Sequence, residues 1–189
     1  MISINSKHIT KSIAVIIMTA MLFSCGNKFE EVNDFLSDKN LPIAVTKNIT
    51  SVYTDSGYVK NKLDAKLLLN FENRTKHPYQ EFPEGIKITT FDKKGDSTTI
   101  TANYAITYQK TKISEIKGNV VVFNHTQNMT LKTKQLFWDQ NLNYFFSNKK
   151  ATLYKLNDTI IGKDGFDSNA DLTNASMMNN KGTFRVKEN

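Results

Sequence analysis

The chain has 189 residues, of which 39% are hydrophobic and 23% charged, and its formal net charge is +7. Only one apolar segment, near the N-terminus, approaches the length of a membrane span, which excludes a protein with several transmembrane helices. A single cysteine excludes an intrachain disulfide.

The N-terminal segment has the pattern of a bacterial lipoprotein signal peptide. Basic residues precede an apolar run at 12–23, which is shorter than the roughly 20 residues of a spanning helix. The sequence "LFSCG" at 22–26 then resembles a lipobox. We therefore predict that residues 1–24 are a signal peptide and that Cys25 carries a lipid anchor. An uncleaved anchor with an incidental cysteine is the alternative.

The segment that follows predicts a tether and then a domain. Residues 25–42 are charged, contain few apolar side chains and end in Pro42. The pattern changes at Ile43. We therefore predict a tether over 25–42 and one β-domain over 43–189.

Strand patterns fill this domain. In "LDAKLLLNFE" the residues at 63, 65, 67, 69 and 71 are apolar and alternate with mainly polar ones, which is typical of a half-buried strand. Before it, "NITSVYT" and the turn residues Asp55-Ser56-Gly57 predict a hairpin. Similar short segments follow, among them "GIKITTF", "TTITANYAITY", "GNVVVFN", "MTLKTKQLFWD", "LNYFFSN", "KATLYKL" and "DTIIG". The pattern predicts an all-β fold of about ten to twelve antiparallel strands.

Residues suited to catalysis are few. After the signal peptide the chain retains only His77 and His125, both in predicted loops, and no HExxH motif or close histidine pair. Asp164 and Asp167 flank Gly165 in what reads as a solvated turn. With no glycine-rich phosphate loop either, we predict a protein that is not an enzyme and has no metal site and no cofactor. Nucleic acid is an improbable partner for a protein exported from the cytoplasm.

Two segments resemble the LptC family of lipopolysaccharide-export proteins. The first is "YQEFPEGIKITTFDKKGDSTTITANYAITY" and the second runs from "EIKGNVVVFNHTQNMTLKTKQLFWD" to "DTIIGKDGFDSN". The resemblance covers about residues 43–186. It implies an open, twisted antiparallel β-jellyroll of two packed sheets whose inner faces form an apolar trough for lipid A acyl chains.

The resemblance also implies which residues line that trough. The candidates are apolar residues on the predicted inner faces: Leu67, Leu69, Ile88, Ala102, Tyr104, Val120, Val122, Leu131, Leu136 and Phe146. The same residues could instead fill a closed core. Lysines at 132, 134, 149 and 150 could meet lipid A phosphates, or simply form a solvated face.

The implied partners are lipopolysaccharide, an inner-membrane ABC transporter, and a periplasmic bridge protein that pairs with an exposed edge strand. The C-terminal segment "GTFRV" at 182–186 is the candidate for that pairing. The implied location is the periplasmic face of the inner membrane. Two other classes stay open: a structural or surface lipoprotein with a closed β-sandwich that binds a protein or glycan, and a lipocalin-like carrier of a smaller apolar ligand.

Overall fold

A computed structural model describes residues 40–92, 94–156 and 158–183, and the regular structure in these ranges is entirely β-strand. The strands in chain order are β1 (Ala44–Asp55), β2 (Tyr58–Phe71), β3 (Tyr79–Phe82), β4 (Ile86–Phe91), β5 (Ser97–Ala102), β6 (Tyr104–Tyr108), β7 (Ile113–Asn124), β8 (Met129–Asp139), β9 (Tyr144–Ser147), β10 (Ala151–Lys155), β11 (Asp158–Gly162), β12 (Phe166–Asn169), β13 (Ala175–Met177) and β14 (Asn180–Thr183).

The pairings between these strands are antiparallel, so the prediction of an all-β antiparallel fold is confirmed. The predicted signal peptide, Cys25 and most of the predicted tether lie outside the described residues. Within the described ranges, no helix has the length and apolar character needed to cross a bilayer.

The first hairpin forms where the sequence predicts it. Asp55 pairs with Tyr58 across a two-residue turn. Ser56 and Gly57 have φ angles of 52° and 81°, and a turn with two positive φ angles matches the twist of the flanking strands. β1 then runs antiparallel to β2 along nearly its whole length.

Strand pairing divides the structure into two layers that share four long strands, namely β2, β7, β8 and β1, which follows β2 through both layers. Layer I contains β4, β5, β10, β11 and β14, and layer II contains β3, β6, β9, β12 and β13. One half of β2, β7 and β8 pairs within layer I and the other half within layer II. Buried side chains from both layers form one hydrophobic cluster, so the layers pack face to face as in a β-jellyroll.

Over the residues that the structure describes, the chain passes between the layers at one level only, which we call the fold line. In layer I the cross-strand neighbours at this level include the pairs Ala65–Ile86, Ile86–Ala102, Val120–Thr133, Thr133–Ala151 and Ala151–Gly162. In β7 the passage is a bulge between Lys117 and Val120. Gly118 and Asn119 stand there with φ angles of 73° and 50°, and such a bulge bends a strand from one sheet into the next.

The opposite ends of the layers form a mouth. Turns there connect neighbours within one layer: 125–128 joins β7 to β8 in layer I, and 140–143 joins β8 to β9 in layer II. Within the described ranges the chain does not pass from layer to layer at the mouth. The two layers are therefore joined covalently on one side of the core only.

The fold line accounts for two sequence predictions that were wrong. "TTITANYAITY" is two strands rather than one, because β5 ends at Ala102 and β6 begins at Tyr104 in the other layer. The five-residue apolar alternation in β2 also does not stay on one face. Leu63, Ala65 and then Leu68 pack against the core, since the strand changes layers between them.

Candidate functional site

Six of the ten predicted trough residues lie on the inner faces. Ile88, Val120, Val122, Leu131 and Leu136 are buried, and Ala102 packs against the same cluster from β5. Val122 pairs with Leu131, and Ile88 pairs with Ile100, so their side chains share the inner face of layer I. These residues form a continuous apolar surface between the layers.

The other four predicted residues do not lie in this cluster. Leu67 is half-buried at the fold line. Leu69 pairs with Glu81 on the outer face of layer II. Tyr104 pairs there with Lys117, and Phe146 is 37% exposed and stacks on Phe137 at 5.2 Å between ring centres. The alternation placed Leu67, Leu69 and Tyr104 on the inner face because it takes no account of the change of layer, whereas Phe146 was chosen over its equally apolar neighbour Phe145.

The inner face of layer II is built largely from residues that were not among the predicted trough residues. They are large apolar side chains that are nearly inaccessible to solvent, and they include Phe82, Ile116, Trp138, Phe145 and Phe166. In "NYFF" two adjacent phenylalanines are equally apolar, and periodicity alone cannot say which one points inward. Burial separates them, since Phe145 is 0% exposed and Phe146 is not.

One buried polar atom on this inner face lacks a protein partner. The indole Nε1 of Trp138 makes no hydrogen bond with any described residue. Trp138 pairs with Ser114 and packs edge-on against Phe145. An unsatisfied buried donor costs about 1–3 kcal/mol, so a ligand oxygen that reached this position would relieve a penalty.

The mouth contains a polar cavity of about 540 Å³. Layer I contributes Asn124, Thr126 and Gln127, and layer II contributes Asn143 and Asp171. Asn124 is 4% exposed, and its Nδ2 donates a hydrogen bond to the main-chain oxygen of Asp171. This bond connects the two layers at their free ends.

The connection between β12 and β13, residues 170–174, covers the hydrophobic core behind that cavity. Leu172 is 1% exposed and belongs to the core cluster, together with Ala170. Its φ angle is 62°, a left-handed backbone conformation that is unusual for a bulky side chain. We call residues 170–174 the plug, because they insert one leucine between the layers.

The outer face of layer II carries a polar pair that stabilises the fold rather than a reactive site. The hydroxyl of Tyr104 donates to Glu81 Oε1 at 2.8 Å. Burial raises the pKa of Tyr104 well above its usual value, and the hydrogen bond to the Glu81 carboxylate raises it further. The phenol therefore stays protonated and serves as a donor.

The described residues give no sign of a catalytic or metal centre. His77 is exposed in a loop, and His125 shares a 2.8 Å hydrogen bond with Thr99 Oγ1. No group of three or more histidine, cysteine or carboxylate side chains within the described ranges is arranged to hold a metal ion. The features that stand out are instead the apolar core between the layers and its plugged mouth.

Comparison with protein families identifies the chain. A model of the LptC-related lipopolysaccharide-assembly family matches residues 13–183. The chain belongs to the LptC family. A comparison with curated protein sequences found no significant match.

Membership of the LptC family assigns the chain a role in lipopolysaccharide transport in the cell envelope. LptC proteins are transport components that bind lipopolysaccharide and the Lpt transporter complex, on the periplasmic side of the inner membrane. The resemblance noted in the sequence is therefore confirmed, and so is the jellyroll architecture that it implies.

Proposed function

We propose that this LptC protein shields the acyl chains of lipopolysaccharide between its two layers while the sugars and phosphates stay in water. It receives the lipid from the inner-membrane ABC transporter and passes it to a periplasmic bridge protein. The observation that carries this proposal is the fold line: two apolar inner faces joined on one side only. Layers connected in this way can separate at the mouth without breaking the strand pairing within either layer.

The energy of exposed hydrocarbon explains why such a device is needed. Each methylene group that moves from an apolar environment into water costs about 0.8 kcal/mol. Several acyl chains crossing an aqueous compartment unshielded would therefore face a prohibitive barrier. An apolar path removes that barrier and leaves only the force that moves the lipid along, which the ABC transporter supplies.

Loading requires the plug to leave the space between the layers. Val122, Leu131 and Leu136 are each 0% exposed, so the core is filled by its own side chains when the plug is in place. Withdrawing Leu172 exposes one leucine side chain, a cost of about 1.5–3 kcal/mol, and releases its strained backbone. An acyl chain that takes its place recovers the lost burial, and an oxygen of the lipid could accept the free hydrogen bond of Trp138.

The exposed edge strands supply the protein partners. Among the described strands, β1 pairs with β2 alone, and β14 pairs with β11 alone. An exposed edge strand offers main-chain groups for pairing with another chain. β1 directly follows the N-terminal segment, so we assign its edge to the inner-membrane complex and that of β14 to the bridge protein.

The lipid anchor on Cys25 remains part of the proposal. Metabolic labelling with a radioactive fatty acid is expected to mark the wild-type chain and to leave Cys25→Ala unmarked. Labelling of the variant at the wild-type level would contradict a lipidated Cys25.

The acyl-binding proposal is tested with photoreactive amino acids at paired inner and outer positions in cells. Met177 packs against the core from β13, whereas Ser176, the preceding residue, is exposed. Leu63 and Lys62 form a matched pair in β2. Crosslinks to lipopolysaccharide are expected at 177 and 63 and absent at 176 and 62. Equal crosslinking at inner and outer positions would contradict the proposal.

One observation favours a second candidate, a structural lipoprotein with a permanently closed sandwich. The inner residues are buried by one another, and a closed core needs no ligand. In that case neither member of either pair would crosslink to lipopolysaccharide, although the protein would be folded and abundant.

A further inference from the structure

Four lysines surround one groove on the outer side of layer I, next to the fold line. Lys132 and Lys134 come from β8, while Lys149 and Lys150 come from the connection between β9 and β10. The groove has a volume of about 580 Å³, and its floor includes Val120 and Val121. We call it the lysine groove.

The register of the strands holds these lysines together. Lys132 pairs with Val121 on one side and Thr152 on the other. The hydroxyl of Thr133 lies 3.1 Å from the main-chain oxygen of Lys150, which fixes the β9–β10 connection against β8. Lys149 is held in turn by a 3.1 Å hydrogen bond from its main-chain N–H to Ser147 Oγ.

The positive charge of the groove is not neutralised by the described part of the chain. No aspartate or glutamate lines the groove. Other lysines do form ion pairs with carboxylates: Lys117 lies 2.8 Å from Glu115, and Lys62 lies 3.6 Å from Asp64. Among the described residues, none of the four groove lysines forms such an ion pair. Like charges gathered around a concave surface raise the local potential and attract anions.

We propose that the lysine groove binds phosphate groups of an acylated ligand and that, given the proposed function, this ligand is lipopolysaccharide. Lysine ammonium groups bind phosphate as mobile point charges. The half-buried side chain of Val121, which lies on the same face as Lys132, contacts the hydrocarbon next to the phosphate. The concave shape of the groove fits a single headgroup better than the flat surface of a membrane.

The groove and the apolar core lie on opposite faces of layer I. The side chain of Val120 is 1% exposed and belongs to the core, whereas its neighbour Val121 pairs with Lys132 on the groove side. A phosphate bound in the groove therefore stays on the outer face, apart from the buried side chains.

The test measures the binding of full-length protein in detergent micelles to lipid A with its phosphates and to dephosphorylated lipid A. The groove variant is K134Q/K149Q/K150Q. The matched control, K66Q/K87Q/K163Q, removes the same charge from exposed lysines outside the groove. Inorganic phosphate and vesicles of phosphatidylglycerol serve as further probes.

Wild-type protein and the control are expected to bind phosphorylated lipid A about tenfold more tightly than the dephosphorylated form, from a few weak lysine contacts. The groove variant should bind both forms equally. Inorganic phosphate should compete weakly with phosphorylated lipid A in the wild type.

Several results would overturn the inference. A preference for phosphate that persists in the groove variant would do so, and so would an equal loss in the control. Lysine-dependent binding of phosphatidylglycerol vesicles or of free phosphate as tightly as lipid A would assign the groove to a membrane surface or a soluble anion. If the wild type binds both forms of lipid A equally, the phosphate-binding role of the groove is refuted and the proposed function is not. If the wild type binds neither form, the proposed function is refuted as well.

Discussion

At the scale of single residues, Leu172 contributes both to the stability of the fold and to the control of lipid access between the layers. Its side chain fills space between the layers that a lipid would need, and its main chain adopts a left-handed conformation. Leu172→Ala is expected to lower the free energy of unfolding by about 2–4 kcal/mol, because it leaves a cavity in the core. Urea denaturation measures this loss.

Leu142→Ala is the matched control for that substitution, since Leu142 is 75% exposed. Its free energy of unfolding should stay within about 0.5 kcal/mol of the wild type. An equal effect of both substitutions would show that residue 172 does not fill the core.

Gly165 is a second residue on which the fold depends, because it lies where the chain passes from β11 to β12. Its φ angle is 127°, and a Cβ there would collide with the main-chain oxygen of Ser147. Gly165→Ala is expected to cost about 3 kcal/mol or more of stability, measured by thermal or urea unfolding.

Gly57→Ala separates backbone strain from collision. Gly57 also has a positive φ, but a Cβ there meets no atom within 4 Å. This variant should lose only about 1 kcal/mol, the cost of the left-handed conformation alone. Losses of stability of similar size in Gly165→Ala and Gly57→Ala would mean that a Cβ at residue 165 does not collide with its neighbours at the fold line.

The raised pKa of Tyr104 predicts how the free energy of unfolding changes at alkaline pH. Its pKa is raised in the folded protein, mainly by burial and then by the hydrogen bond to Glu81. The fold thus favours the protonated phenol, and this contribution is complete below the ordinary pKa of 10.0 and is lost as the pH rises above it.

The measurement is the free energy of unfolding of wild type and Tyr104→Phe from pH 8 to pH 12. Wild-type stability should fall above pH 10, and the variant should fall less steeply because it has no phenol to ionise at this site. Identical slopes would contradict the role given to Tyr104.

At the scale of strands, the exposed edges of β1 and β14 have different expected partners. Thr183→Pro places a residue without an N–H group in β14, next to the edge that we assign to the bridge protein. It should weaken capture of the bridge protein at least tenfold while leaving the unfolding midpoint nearly unchanged, because β14 is short and exposed.

Ser176→Pro, in the edge strand β13 of layer II, provides the comparison. It should leave capture of the bridge protein intact if pairing uses β14. Loss of capture in Ser176→Pro but not in Thr183→Pro would move the contact to the other layer. The assignment of the β14 edge would then be wrong.

The strands also show how far a sequence can predict this fold. Alternation in the segment at 63–71 identified a strand, and Asp55-Ser56-Gly57 identified its hairpin. Alternation could not reveal where a strand leaves one layer for the other, because the decisive event is a bulge or a change of partner set by the neighbouring strands. For this reason Leu69 and Tyr104 were expected on the inner face and lie outside it.

At the scale of the whole domain, local pattern and family resemblance predicted the jellyroll architecture but not that its core is closed. The two segments that resemble LptC, which begin with "YQEFPEG" and "EIKGNVVV", indicated a jellyroll of this family, and the family match agrees. That the core is closed by residues 170–174 could not be foreseen, since "ADLTN" reads as an ordinary polar turn. The burial of Leu172 depends on long-range packing that no short segment specifies.

The proposed function requires the two layers to part at the mouth to admit acyl chains. The most direct measurement joins Gln127→Cys and Thr173→Cys, which line the mouth from opposite layers, with a short bis-maleimide. Crosslinking of lipopolysaccharide to a photoreactive residue at 177 is then compared with each single-cysteine variant. We expect the joined protein to lose at least nine-tenths of its lipopolysaccharide crosslinks and both single-cysteine variants to keep theirs. Undiminished crosslinking in the joined protein would contradict the proposed function.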